Sequence, residues 1–248
     1  MKTSDTLLIG STLIGLLTLV GSTVALRSEH DKIDFTDPFY GYQTTAVNPY
    51  KVLRIEGSKS GILPLGTAPV GSIGISENPN DSYTTVGIQA GKAFEIRVQK
   101  SNKIPFTYRS IGDTLLIQYE PDFYSRRITA DEAFSSPPFI YLIAPSFQKL
   151  IASRTTCKLT GLTTENVSIQ AANARVLLSK STVNQLTSTG QRGSIVQIAA
   201  TNRIHSAMIT SLDSTGFIAE RNVFDSITLQ NDSTAIIKIP ASLLTKLK

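Results

Sequence analysis

The chain has 248 residues, of which 41% are hydrophobic and only 17% charged, with no tryptophan and a single cysteine. Cys157 alone excludes an internal disulfide and a cysteine-based metal cluster. The formal charge of +5 is uneven: residues 147–248 carry 11 Lys and Arg against 5 Asp and Glu, while residues 27–146 carry 12 against 13.

Residues 1–5 form a short tail. Residues 6–26, TLLIGSTLIGLLTLVGSTVAL, contain no charge. As a helix at about 1.5 Å per residue they would span roughly 31 Å, the hydrocarbon thickness of a bilayer. The six Ser and Thr hydroxyls can bond back to the preceding turn. The segment predicts a transmembrane anchor. The alternative is a cleaved signal peptide, for which Thr23 and Ala25 have the small side chains required at the −3 and −1 positions. A single N-terminal anchor followed by a long domain exports that domain, so the bulk of the chain is expected to be periplasmic or extracellular. Residues 27–49, with Phe35, Phe39, Tyr40 and Tyr42, read as a juxtamembrane linker or as a cap over the end of the following domain.

Residues 50–240 read as the main domain. From 146 to 239 there is no proline, and a loose repeat recurs about every twenty residues. Each repeat opens with an apolar residue, another three later and a third two after that. The triplets are Phe147, Leu150, Ala152; Thr164, Val167, Ile169; Val183, Leu186, Ser188; Ile204, Ala207, Ile209; and Phe224, Ile227, Leu229. The middle positions are 17, 19, 21 and 20 residues apart. A second apolar position follows nine or ten residues after each, at Leu159, Val176, Val196, Phe217 and Ile236. The gaps hold turn residues such as Gly190, Gly193, Asn231 and Asp232. A period near twenty suits one coil of a β-helix, not a pair of helices. The expected fold is therefore all-β: a β-helix-like solenoid of short repeats after one N-terminal transmembrane helix. An antiparallel sandwich is the alternative.

Upstream, Tyr50, Leu53 and Ile55 show the same opening pattern, with Ile62 nine residues after Leu53, and read as a first coil. Phe94, Ile96, Val98 and Leu115, Ile117, Tyr119 alternate as strands. Asn78–Asp81 and Gly112–Asp113 are turns. Residues 121–138 form a loop or short helix, and 241–248 a short basic tail with helical potential.

This layout resembles the auto-transporter adhesin, head GIN domain family of Bacteroidetes. The resemblance rests on the N-terminal membrane segment, the opening strand YKVLRIEG at 50–57, the GDTLLI element at 112–117, a strand ending in Ala144–Pro145, and the β repeats that follow. It covers about residues 50–240. The family's Gly-Ser-Gly turns are missing, with only Ser188-Thr189-Gly190 and Ser214-Thr215-Gly216 in their place, which makes this a divergent pattern. The resemblance implies a β-helix-like fold in the cell envelope and carries no catalytic residues.

No catalytic motif stands out. His205 could be drawn with Asp213 toward a hydrolytic site, but there is no Gly-x-Ser-x-Gly elbow. The two histidines, His30 and His205, do not suggest a metal site, and no phosphate-binding glycine loop is present, so neither metal nor cofactor is expected. Arg175, Arg203 and Arg221 are candidate contacts for an anionic polymer, with Arg203 and Arg221 spaced to stack on adjacent coils. Anionic envelope glycan or lipid headgroups fit the basic half. Nucleic acid does not, because that half has only Phe147, Phe217 and Phe224 for stacking. The expected function is non-enzymatic: adhesion, scaffolding or surface-polymer binding at the cell envelope. The alternative is a lyase-like glycan-active enzyme on a β-helix.

Overall fold

The computed structural model describes residues 3–31, 33–34, 36–57, 85–100, 104–119, 134 and 138–246. It divides into two compact units, Met1–Tyr42 and Gln43–Lys248.

The first unit is dominated by helix α1, Thr3–His30. The hydroxyls of Thr18, Ser22 and Thr23 donate to the carbonyls of Ile14 and Leu19 at 2.7–2.9 Å, so these polar side chains are satisfied within the helix. From Gly10 to His30 the helix has a mean hydropathy of 1.4 and buries none of its apolar surface in the protein. It has the length and composition of a membrane span or of a signal sequence.

The second unit is built of strands. In chain order they are β1 (Tyr42–Ala46), β2 (Val52–Gly57), β3 (Thr85–Ala90), β4 (Glu95–Gln99), β5 (Phe106–Ile111), β6 (Thr114–Tyr119), β7 (Ile140–Ala144), β8 (Lys149–Ser153), β9 (Thr156–Thr160), β10 (Thr163–Ala172), β11 (Arg175–Ser179), β12 (Thr182–Gln191), β13 (Ile195–Ile198), β14 (Arg203–Ser211), β15 (Gly216–Ala219), β16 (Phe224–Asn231) and β17 (Ile236–Lys238). They form two open sheets, one of order β1-β4-β7-β3-β9-β11-β13-β15-β17 and one of order β16-β14-β12-β10-β8-β2-β6-β5. From β8 onward the chain alternates between the sheets, and the strand pairs are parallel.

The inward residues form continuous rows. Leu115, Leu53, Leu150, Ile169, Ser188, Ile209 and Leu229 stand opposite one another across the eight-stranded sheet. Ile140, Val86, Cys157, Val176, Val196, Phe217 and Ile237 do the same across the nine-stranded one. Nearly all of these residues join one buried core cluster.

The register corrects the sequence grouping in three places. Leu150 stands opposite Ile169, not Val167, so the first interval is 19 residues and not 17. In the other sheet Leu159 faces Leu178, and Ile237 rather than Ile236 faces Phe217, leaving Ile236 52% exposed. A slip of two residues keeps the same side chains inward, so apolar periodicity cannot detect the first of these errors. Backbone pairing decides it: the amide of Ser168 donates to Gln148 O at 2.8 Å.

The strand read as a first coil is not terminal. β2 lies between β8 and β6, in parallel with both, and Ile62 falls outside the described residues, as do Asn78–Asp81 and most of 121–138. Within that last stretch Phe134 is described, and it is buried against Leu177 and Ala199. The parallel order ends where β5 pairs antiparallel with β6, and β4 with β7. At the C-terminal end, the 3₁₀ turn Ala241–Lys246 buries Leu243 completely, and Lys246 Nζ donates to Phe224 O at 2.6 Å.

The corners are tight. Arg154, Asn173, Arg192, Asp213 and Ser214 follow the strands of the eight-stranded sheet, and Lys180 follows β11, all with φ between +50° and +59°. Gly190, expected in a turn, instead lies inside β12 facing the core. A Cβ there would sit 2.4 Å from Thr215 Cγ2, so only glycine fits without a shift.

Two polar features of the core lead to predictions. Ser188 Oγ is buried without a hydrogen-bond partner between Ile169 and Ile209. An unpaired buried hydroxyl costs about 1–3 kcal/mol, so Ser188→Ala should raise stability by about 1 kcal/mol, read as a higher urea midpoint. A lower midpoint would contradict the orphaned hydroxyl. Burial also pushes the Cys157 thiol up to about 12, and raises the Tyr119 and Tyr50 phenols as well. Below the thiol's ordinary value of 9.0 these groups are neutral in both folded and unfolded chains, and stability is full. As pH rises the unfolded chain ionises first, and stability falls progressively toward pH 12. The urea midpoint should therefore drop between about pH 8 and about pH 10.5, and Cys157→Val should reduce the drop.

Candidate functional site

The outer face of the eight-stranded sheet follows from strand alternation. Where Val167 and Ile169 point inward, Ser168 and Gln170 point outward. Because the repeats are in register, the outward residues form rows too. Gln170, Thr189, Thr210 and Gln230 make one row. Ser168, Thr187, Met208 and Thr228 make a second, and Asn166, Gln185, Ser206 and Ser226 a third. Adjacent strands lie about 4.7–4.9 Å apart, so hydroxyl and amide groups recur at that spacing over four strands. Met208, 48% exposed, is the one apolar side chain in these rows.

Beside the third row runs a line of larger polar groups. Asn184 Nδ2 donates to Glu165 Oε2 at 3.1 Å, and His205 Nδ1 lies 2.9 Å from Asp225 Oδ2. The carboxylate partner of His205 is thus Asp225 and not Asp213. The Asp213 amide instead donates to Asp232 Oδ2 at 2.7 Å in a corner. That corner holds the Asp232 carboxyl below its usual range, chiefly through the hydrogen bond from Thr234 and then through that of the Asp213 amide. Among the described residues, no three His, Cys, Asp or Glu side chains come together.

The three arginines singled out by spacing do not share a row. Arg203 is exposed at the start of β14, opposite Thr182. Arg221 is exposed in the turn after β15. Since Ile204 faces Phe224, the residue equivalent to Arg203 on the next repeat is Val223, two positions past Arg221. Arg175 opens β11 in the other sheet and is only 8% exposed. The spacing of 18 between Arg203 and Arg221 is simply two short of the local repeat.

Sequence reasoning missed a charged cleft at the other end of the same face. The row through Gln170 continues over Ile151 and Arg54 to Leu116 and Arg109. Here Arg54, Glu56, Arg109, Thr114, Leu116 and Gln118 line a cleft of about 240 Å³. Glu56 accepts hydrogen bonds from Arg54 Nε at 2.7 Å and from Gln118 Nε2 at 2.9 Å. Arg154 lies close by, its Nε donating to Gly57 O at 3.1 Å. Partial burial raises the Glu56 carboxyl, but the hydrogen bonds from Gln118 and Arg54 and the charges of Arg54 and Arg154 outweigh it and hold it below its ordinary value. The Arg109 guanidinium has no hydrogen-bond or ion-pair partner among the described residues. The one local signal was the outward alternation of Arg54 and Glu56. Their meeting with Gln118, 62 residues away, has no local signature.

No family model matches the chain, and no curated protein matches it. Among solved structures it is similar to a protein described as a "putative adhesin" from Bacteroides fragilis. That likeness has 10% sequence identity and a TM-score of 0.42, over 80% of this chain and 92% of the other.

Because the Glu56 carboxyl is held low in the folded chain, it contributes stability above the unfolded value near 4.5 that is lost as pH falls through its folded value. Glu56→Gln should remove part of the loss in urea midpoint between about pH 6 and about pH 3. An unchanged acid response would show that the Arg54–Glu56–Gln118 contacts do not hold in solution.

Proposed function

We propose that this chain is a membrane-anchored, non-enzymatic protein of the cell envelope. Its repeat half is a β-solenoid, and the outer face of its eight-stranded sheet binds a surface polymer in adhesion or scaffolding. The observation that carries this reading is the in-register repetition of hydroxyl and amide side chains on β10, β12, β14 and β16. A hydroxyl or amide hydrogen bond nets about 0.5–1.5 kcal/mol, whereas association costs at least about 4 kcal/mol in lost freedom. One repeat cannot hold a ligand on such terms, but several in register can hold a polymer that offers hydroxyls at many points. A parallel ladder keeps those groups rigidly spaced, so little further ordering is needed on binding. The +6 excess of residues 147–248 favours a polymer with some negative charge.

Helix α1 supports attachment to the membrane, with the bulk of the chain outside the cytoplasmic membrane. In that position envelope glycans are the polymers within reach.

The test is retention of the full chain, in mild detergent, on immobilised envelope polysaccharide. The wild type should be retained, and Thr189→Glu with Thr210→Glu should be released while keeping the same urea midpoint. Equal retention of both would rule out this face. Protease added to intact spheroplasts should remove a C-terminal tag; a tag protected until lysis would place the domain in the cytoplasm and end the envelope reading.

A further inference from the structure

The geometry points to a carboxylate-binding subsite in the cleft between β2, β6 and β5, where Arg109 takes the acid group of one uronic-acid-type sugar residue. This rests on the polymer-binding reading of the same sheet face and names the class of sugar that the polymer contains.

The charges in the cleft decide the sign of the ligand. Arg54 and Glu56 neutralise each other through their hydrogen-bonded ion pair. Gln118 takes the other Glu56 oxygen. Among the described residues, that leaves Arg109 as the uncompensated charge lining the cleft. A guanidinium presents a planar fork of donors that matches a carboxylate in bidentate geometry, and such charge-assisted bonds are about twice as strong as neutral ones. A neutral sugar would leave this fork unused, and a cation would be repelled.

The walls decide the shape. Leu116, on the same row between Arg109 and Arg54, is 5% exposed and forms an apolar floor. Ile111, 53% exposed, supplies an apolar rim, and Thr114 opposite it supplies a hydroxyl. A sugar ring has this alternation, with C–H faces and hydroxyl edges. The cleft's 240 Å³ falls below the roughly 300–1,000 Å³ of pockets for drug-sized ligands, so it suits one ring and not a length of chain. A polymer lying on Gln170, Thr189 and Thr210 along this row would reach Arg109 over Ile151, Arg54 and Leu116.

The experiment uses the full chain in mild detergent with three probes: an oligogalacturonate, its carboxyl-reduced counterpart, and free galacturonate. Affinities are measured by calorimetry for the wild type, Arg109→Gln, Arg109→Lys and the Thr189→Glu, Thr210→Glu variant. Arg109 lies on the exposed, antiparallel edge strand β5, and an unchanged urea midpoint checks that its variants fold. The wild type should bind the oligogalacturonate about tenfold more tightly than the reduced form, a difference worth about 1.4 kcal/mol. Arg109→Gln should erase that preference, and Arg109→Lys should retain only part of it because the fork is lost. A preference that survives Arg109→Gln, or equal wild-type binding of both oligomers, overturns the subsite while leaving the face intact. Acid preference through Arg109 combined with no effect of the threonine variant overturns the polymer face while leaving the carboxylate site. Free galacturonate binding as tightly as the oligomer would show that the site serves a free sugar acid, contrary to the proposal.

Discussion

The strand unit is organised by one constraint: from β8 to β17 each strand pairs its backbone in parallel and in register with the strands of the neighbouring repeats. A single repeat has two short strands and too few apolar residues to exclude water. Paired amides and carbonyls hold successive repeats at a fixed separation, and this sets like residue above like residue. Inside, that produces the rows through Leu150 and Val176. Outside, it produces the rows of Ser, Thr and Gln. The core and the proposed binding face are two sides of the same ladder.

The constraint also explains the exceptions. Where the chain turns sharply between sheets, residues such as Arg154, Asn173 and Lys180 adopt left-handed backbone angles that are disfavoured for side chains with a Cβ. They are held there by pairing with neighbouring repeats: the amide of Arg154 donates to Ala172 O, and that of Asn173 to Gln191 O. Gly190 stands where Thr215 presses on the strand from the corner. A ladder must also end. Antiparallel β4 and β5 stop it on one side, and the turn carrying Leu243 covers the core on the other. The cleft lies where the parallel order gives way to the antiparallel hairpin, so the change in pairing and the charged site coincide.

Much of this was legible in the residues and some was not. The apolar triplets identified which side chains face inward, and Leu53, Leu150, Val167, Leu186, Ala207 and Ile227 are all buried. The proline-free stretch corresponds to the paired strands from β8 to β17. The arginines misled because their spacing was compared with an average period. One repeat spans 19 residues and another 21, so a residue two positions out of step leaves its row, as Arg221 does. Arg175 is hidden because the face it occupies is covered, and no local pattern reports that.

By itself, then, the sequence determined the apolar helix, the strand-rich second unit, the approximate period and the assignment of inward and outward faces. These follow from composition and from the two-residue alternation of strands, which are local properties. Tertiary structure alone decided the register, the place of β2 between β6 and β8, the partner of His205, and the meeting of Arg54, Glu56, Gln118 and Arg109 in one cleft. Those depend on backbone pairing between distant segments. Slips of two residues preserve the alternation, so only the hydrogen bonds between repeats can choose among them.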